Sequence, residues 1–168
     1  MDEPLVRSTA AEGTPAAFDV DALMAGGPVV LFDGVCNFCN ATIQIIVDNE
    51  RSPELRFAPL QSAIATALLE RVFGDDEARR LLRGATGAGD PDSVVLIEGG
   101  RGYTHSTAAL RVLGRLRAPY RWLSALVVVP RAVRDAVYRW IGRNRYRWFG
   151  KSESCRIPTP ELRARFLS

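Results

Sequence analysis

Short continuous apolar runs alternate with helically spaced apolar positions in the first half of the chain. Residues 28–32 (PVVLF) have the length and composition of a strand that is buried on both faces. From Cys36 the apolar positions fall three and four apart, which predicts a helix that ends near residues 50–53. Residues 55–59 predict a second strand that stops at a proline, and residues 64–73 predict a second helix. This strand–helix–strand–helix order favours a parallel pair of strands.

A hairpin is predicted after the second helix. Residues 75–83 either extend that helix or form another, and residues 84–92 (GATGAGDPD) have the composition of a flexible connector. Residues 93–98 (SVVLIE) predict a third strand. The glycine-rich turn at residues 99–102 then leads into a fourth strand that begins at residues 103–104.

The order of the predicted elements indicates the fold class. Ser106 is a candidate N-cap for a helix that runs to about Arg117, which completes the order β-α-β-α-β-β-α. That order is the order of a thioredoxin-like α/β fold. We therefore expect one thioredoxin-like domain over residues 28–168, including its C-terminal helices. Residues 1–27 are expected to form a flexible N-terminal arm, with a helical turn near residues 18–24.

A helical C-terminal extension follows the predicted core. Residues 120–129 and 131–143 have helical patterns and are separated by Pro130, and residues 161–167 predict a short docking helix. An apolar stripe at helical spacing crosses the second of these helices, and we expect it to be a packing surface. Its members are Val133, Val137, Trp140 and Ile141.

The charge of the chain is unevenly distributed. The net charge of +3 combines −8 over residues 1–110 with +11 over residues 111–168. A basic segment of this kind can contact nucleic acid, anionic lipid or an acidic partner. We favour a solvated arginine-rich surface that pairs with the acidic N-terminal part. Residues 144–149 interleave arginines with aromatic residues, but we expect Trp148 and Phe149 to pack under the core with the arginines outside. Nucleic acid is therefore not expected as a partner.

The cysteine count and the apolar runs bear on the cellular compartment. The chain has three cysteines, begins without a basic and then apolar signal pattern, and contains no apolar run long enough to span a membrane. These features predict a cytoplasmic protein in a reducing compartment. In that setting a close pair of cysteines is more often catalytic or metal-binding than structural.

Cys36 and Cys39 form such a pair, within the stretch DGVCNFCN. The pair follows a predicted buried strand and stands at the start of a helix. Unpaired backbone N–H groups and the positive end of the helix dipole stabilise a thiolate at that position. We therefore interpret Cys36 as the attacking nucleophile and Cys39, one turn into the helix and more shielded, as the resolving thiol.

Three other side chains are candidates for the chemistry. Asp33 is either a proton acceptor that helps Cys39 to deprotonate or a cap for backbone N–H groups of the turn and helix. Cys155 is a candidate second resolving thiol or metal ligand, but we expect it to be simply buried. His105 is expected to be a surface residue or a hydrogen-bonded structural one. An alternative is a structural zinc site made by Cys36, Cys39, Cys155 and His105.

Several motifs together resemble one known family. The stretches DGVCNFCN, RFAPLQS, DSVVLIE, YTHSTAALRVL, NRYRWFG and CRIPTPELRARF occur in the order found in the DCC family of thiol–disulfide oxidoreductases, which is named for its D-x-x-C-x-x-C motif. The resemblance covers about residues 29–167. It implies a thioredoxin-like fold and a redox-active pair at Cys36 and Cys39.

We therefore expect an enzyme that exchanges a dithiol for a disulfide without a bound cofactor or metal. Its partners would be a protein or small-molecule disulfide or thiol and an external thiol reductant. The alternative to an enzyme of this kind, besides the zinc protein, is a non-enzymatic binding module that keeps the fold and the cysteines.

Overall fold

A mixed four-stranded sheet is the centre of the fold. The computed structural model describes residues 19–85, 94–151 and 163–167. The strand order across the sheet is β2-β1-β3-β4, in which β1 is parallel to β2 and antiparallel to β3, and β3 is antiparallel to β4. The strands are β1 (Val29–Phe32), β2 (Arg56–Pro59), β3 (Val94–Glu98) and β4 (Arg101–Thr104).

Helices connect and cover these strands. Together with the strands they run β1-α2-β2-α3-α4-β3-β4-α5, which confirms the predicted thioredoxin-like order with a helical C-terminal part. Within the described ranges, no helix is long and apolar enough to cross a membrane. The helices are α1 (Val20–Ala25), α2 (Asn37–Asn49), α3 (Ala63–Phe73), α4 (Asp75–Ala85), α5 (His105–Gly114), a 3₁₀ helix (Tyr120–Val128) and α6 (Arg131–Phe149).

The second helix of the predicted order is divided into α3 and α4 by Gly74. This glycine adopts φ 80°, a left-handed conformation that ordinary side chains rarely take, and its N–H donates to the Glu70 carbonyl to close α3. The three acids that follow, Asp75–Glu77, favour a new helix because they stand at its positive end.

The central strand β1 belongs to two apolar clusters, one on each face of the sheet. Val30 and Phe32 pack with α2 and α5, whereas Val29 and Leu31 pack with α3 and α4. All four side chains are inaccessible to solvent, as the continuous apolar run predicted.

The end of the chain docks on the outer edge of β2. The Phe57 N–H donates to the Arg165 carbonyl at 2.9 Å, and the Leu167 N–H donates to the Phe57 carbonyl at 2.8 Å. Phe166 is buried between the rings of Phe32 and Phe57. Residues 165–167 therefore dock through backbone pairing and through the Phe166 ring, whereas residues 161–162 of the predicted docking helix lie outside the described residues. The pairing also covers the exposed edge of β2.

For the last long helix, the predicted C-terminal end and the predicted buried face are both wrong. Helix α6 continues to Phe149, six residues beyond the predicted end at 143. The exposed fractions of Val133, Val137 and Trp140 are 54%, 53% and 57%, so these three members of the apolar stripe face outward. The fourth member, Ile141, is half-buried and packs as predicted. The buried positions of this helix are Asp135, Gly142 and Arg145.

Polar contacts explain why charged residues can occupy the buried face of α6. Asp135 accepts a hydrogen bond from the Ser106 hydroxyl of α5 and forms an ion pair with Arg131 at 3.2 Å. A buried charge is tolerated when it is paired in this way. Ser106 thus ties two helices together and is not the predicted N-cap, since α5 begins at His105 and its N-cap residue is Thr104.

Candidate functional site

The two cysteines lie at the junction between β1 and α2. Cys36 is the N-cap residue of α2, and its Sγ accepts a hydrogen bond from the Cys39 backbone N–H at 3.4 Å. A serine or aspartate oxygen usually fills this role at the start of a helix. Here a sulfur atom accepts the hydrogen bond from an otherwise unpaired N–H group, which favours the thiolate form of Cys36. The predicted position of Cys36 at the start of the helix is confirmed.

The surroundings of the pair make the two thiols unequal. The pKa of Cys36 is lowered from its ordinary value to about 6, and the largest cause is a hydrogen bond from the Cys39 side chain. The Cys39 N–H and the positive charge of Arg145 lower this pKa further, whereas burial and the negative charge of Asp33 raise it. The same side-chain hydrogen bond, burial and the neighbouring negative charges raise the pKa of Cys39 well above its ordinary value. The surroundings therefore favour the thiolate at Cys36 and the protonated thiol at Cys39.

Both sulfur-bearing side chains are covered by protein. The exposed fractions are 0% for Cys36 and 3% for Cys39, so the expected difference in shielding between them is not observed. The end of α6 and the residue after Gly150 lie against Cys36 and its neighbour. The Cys36 backbone pairs with Lys151 in an isolated antiparallel bridge, and the Asn37 side chain donates to the Phe149 carbonyl at 3.0 Å.

Asp33 lies at the centre of a buried polar cluster. Its Oδ1 accepts from the Val35 N–H at 3.2 Å and from the Gln61 amide at 3.0 Å. Its Oδ2 accepts from Arg145 Nη2 at 3.0 Å and from the Tyr146 hydroxyl. The Asp33 carboxylate therefore caps backbone N–H groups of the turn before α2, which was one of the two roles considered for it. It also holds the Arg145 side chain beside the cysteine pair.

Arg145 and Tyr146 are site residues that the sequence analysis missed. The arginine was placed on the surface with the neighbouring arginines, but its side chain is 2% exposed and its Nη1 donates to the Gly142 carbonyl at 2.8 Å. Burial raises the pKa of Tyr146, and so does its hydrogen bond to Asp33, which keeps the phenol protonated as a donor. The helical spacing of Tyr138, Gly142 and Arg145 places them on one face of α6, and this spacing could have indicated a buried face. The apolar stripe on the opposite face is more hydrophobic and was therefore taken as the packing surface.

The aromatic residues after Tyr146 also differ from expectation. Trp148 and Phe149 are about half exposed and do not pack under the core. Phe149 instead stacks on Phe38 of α2, with ring centroids 4.8 Å apart. This contact holds the end of α6 against the start of α2, which is the segment that covers Cys36.

A cavity of about 450 Å³ lies on the other side of Cys39. It is enclosed between the sheet, α2, α5, the 3₁₀ helix and α6, and its lining is mostly apolar. The polar residues of the lining are Thr42, Tyr138 and Arg145. Phe38 and Leu123 line it and are partly exposed. Cys39 therefore borders an apolar space, whereas Cys36 borders the end of α6 and the residues that follow it.

Of the other sequence candidates, the structure describes only His105, which has a separate set of contacts. His105 is buried, with Nδ1 3.0 Å from the Thr104 hydroxyl oxygen, which agrees with a hydrogen-bonded structural role. Among the described residues, no three His, Cys, Asp or Glu side chains form a group that could hold a metal ion. Cys155, the fourth member of the alternative zinc set, lies outside the described residues.

The lowered pKa of Cys36 makes its alkylation a direct test of the site. Only the thiolate reacts, so the rate should rise with pH through a midpoint near 6 and then level off. An ordinary thiol reacts with a midpoint near about 8.5. The measurement is the rate of iodoacetamide labelling of each cysteine-containing peptide between about pH 4.5 and 9, followed by mass spectrometry. A Cys36 midpoint above about 8 would contradict the geometry described here.

Comparison with known proteins places these residues in a shared region. A family model described as DCC1-like thiol-disulfide oxidoreductase matches residues 30–151. The uncharacterized protein YuxK of Bacillus subtilis is 41% identical over 143 residues, which cover 83% of this chain and 93% of that protein. A chloroplastic DCC family protein of Arabidopsis thaliana is 37% identical over 131 residues, covering 77% of this chain and 69% of that protein. No solved structure matches the chain significantly. The matched region contains the cysteine pair, Asp33, Arg145 and Tyr146.

Proposed function

The chain belongs to the DCC1-like thiol–disulfide oxidoreductase family, and from this premise we propose that it exchanges disulfides through Cys36 as the attacking thiol and Cys39 as the resolving thiol. The name of the family implies thiol–disulfide oxidoreductase activity in general, and the resemblance in the sequence motifs is confirmed. The single observation that carries the finer assignment is the capping of α2 by Cys36 Sγ, one helical turn from Cys39.

The proposed reaction has two exchange steps. In the first, the Cys36 thiolate attacks one sulfur of a substrate disulfide, forms a mixed disulfide and releases the other substrate sulfur as a thiolate. In the second, Cys39 loses its proton and attacks the Cys36 sulfur, which closes the Cys36–Cys39 disulfide and releases the remaining substrate thiolate. The substrate gains two electrons and the cysteine pair loses two. An external dithiol then reduces the pair, and the reverse sequence would oxidise a dithiol substrate.

The polar cluster supports this chemistry by placing a cation beside the pair. The positive charge of Arg145 favours the thiolate of either cysteine. Four donors already engage the Asp33 carboxylate, which favours a role in holding Arg145 over a role as a free base. Proton acceptance from Cys39 by Asp33 stays a prediction.

Access to Cys36 requires movement of the end of α6. The Cys36 side chain has no exposed surface while Phe149 and Lys151 lie against the start of α2. We infer that the substrate reaches the sulfur when this segment moves aside, and that the apolar cavity beside Cys39 receives an apolar group of the substrate.

Oxidation followed by mass spectrometry tests the cysteine pairing. Protein treated with a mild oxidant should lose two hydrogen atoms, and proteolysis should recover the Cys36 and Cys39 peptides joined. Reduction with dithiothreitol should restore both thiols. A dominant bridge from either cysteine to Cys155 would contradict the proposal.

Turnover separates the enzyme from a binding module that only keeps the fold. With dithiothreitol as reductant and insulin as the disulfide substrate, the full chain should catalyse repeated reduction above the rate of dithiothreitol alone. Stoichiometric disulfide exchange that stops after a single cycle would favour the binding module. Elemental analysis of the same sample addresses the alternative zinc protein, because one zinc per chain would favour that alternative.

A further inference from the structure

Two neighbouring helical segments in the C-terminal part expose an unusually apolar surface. The 3₁₀ helix, Tyr120–Val128, contains no acidic residue, and its Val128 side chain is 83% exposed. We call this surface and the outward stripe of α6 the apolar face. Its members are Trp122, Leu123, Leu126, Val127, Val128, Val133, Val137, Trp140 and Trp148.

The two halves of the apolar face meet at a groove. An open groove of about 340 Å³ runs between them, lined by Leu126 and Val129 on one side and by Val133 and Val137 on the other. Along α6, the exposed positions from Val133 to Trp148 extend for about 22 Å. The apolar side chains are therefore spread along the surface and are not gathered around one deep pocket. Scattered single apolar residues are ordinary on a protein surface, but a continuous patch marks an interaction site.

Positive charge accompanies the apolar face. Residues 120–151 contain seven arginines and one lysine but a single acid, Asp135, which is buried and ion-paired with Arg131. Exposed arginines of this segment include Arg121 and Arg147. At 100° per residue, Arg147 lies on the same side of α6 as Trp140. The face thus combines aliphatic side chains, tryptophans and cations, without an exposed acid in this stretch of the described chain.

We propose that the apolar face docks this protein on the surface of an anionic lipid bilayer. Helices that lie in a membrane interface combine these three kinds of residue, since tryptophan and aliphatic side chains enter the acyl boundary while arginine meets the head groups. A lipid surface accepts such side chains without a matching pocket. A second copy of the chain is the poorer occupant, because two such faces would bring exposed arginines together with no exposed acids between them.

The tryptophans make docking directly observable. All three tryptophans of the chain, Trp122, Trp140 and Trp148, belong to the apolar face. Their fluorescence should shift to the blue when the full chain is mixed with vesicles of phosphatidylglycerol and phosphatidylcholine, and the protein should sediment with them. Binding should weaken when salt is raised from about 0.05 M to about 0.5 M, because screening shortens the reach of the arginine charges. Vesicles of phosphatidylcholine alone should bind much less protein.

A pair of matched variants tests whether the apolar side chains enter the bilayer. Val127→Asp combined with Val128→Asp should reduce partitioning into anionic vesicles by about tenfold or more, because two charges would have to enter the interface. Ile45→Asp changes an exposed apolar residue of α2 and should leave partitioning unchanged. Circular dichroism of each variant verifies that the chain is folded.

Three results would overturn the proposal. The first is that the folded chain does not bind anionic vesicles at low salt. The second is equal partitioning of the double variant and the unaltered chain. The third is a concentration-dependent dimer with blue-shifted fluorescence and no vesicle binding, which would assign the face to a second copy. None of these results depends on disulfide exchange, so docking and the proposed function can fail separately.

Discussion

Replacing Arg145 by methionine should lower the free energy of unfolding by about 3–5 kcal/mol, the cost expected when one partner of a buried ion pair is removed. The arginine side chain is 2% exposed and the Asp33 side chain 0%, and their closest atoms are 3.0 Å apart. The variant would leave a carboxylate buried without its cation. Urea denaturation followed by far-UV circular dichroism measures the change, and Arg147→Met, an exposed position on the same helix, should cost no more than about 0.5 kcal/mol.

A second variant separates loss of the pair from loss of helix packing. Asp33→Asn combined with Arg145→Met removes both charges, so the combined loss should be smaller than the sum of the two single losses by about 1 kcal/mol or more. If the two single losses simply add, or if Arg145→Met alone costs less than about 1 kcal/mol, the ion pair does not stabilise the fold as described.

Cys36→Ser should abolish disulfide turnover, whereas Cys39→Ser should stop the reaction at the first step. A serine hydroxyl does not ionise near neutral pH and cannot supply the attacking thiolate. Without Cys39, the mixed disulfide on Cys36 has no intramolecular partner to resolve it and should accumulate. Non-reducing electrophoresis and intact-mass measurement detect this species, and its isolation would also identify the substrate.

The third cysteine provides the matched control. Cys155→Ser should retain turnover, since the proposed mechanism uses only Cys36 and Cys39. Turnover by Cys36→Ser, or rapid release of substrate from Cys39→Ser, would show that the roles of the two cysteines are assigned wrongly.

The sheet and its core could be predicted because their pattern is local. The run at Val29–Phe32 is apolar at every position, and such a run is stable only where both faces of a strand are covered. The glycine-rich turn between β3 and β4 likewise acts within a few residues. The position of the cysteine pair could also be predicted from local sequence, since its place at the start of α2 follows from the strand before it and the helical spacing after it.

The C-terminal part could not be predicted in the same way, because which of its residues are buried depends on contacts with residues that are far away in the sequence. Helical periodicity identifies two faces of α6 but does not say which one meets the domain. The more apolar face, with Val137 and Trp140, was expected inside, whereas the structure buries the face with Asp135 and Arg145. An unpaired buried charge is costly, but the ion pairs that Asp135 and Arg145 form offset that cost.

The fold class, the position of the cysteine pair and the family follow from the order of neighbouring residues and could be predicted without coordinates. The surroundings of the pair depend on contacts between distant parts of the chain. Asp33 and Arg145 are 112 positions apart, and nothing in the sequence between them indicates that they meet. The structure also decided that the end of α6 covers Cys36, because contact across the start of α2 depends on the direction in which α6 leaves the domain. Local patterns place Cys39 beside Cys36, which is the largest influence on the Cys36 pKa, whereas the burial of the pair and the nearby charge of Arg145 are assembled by packing.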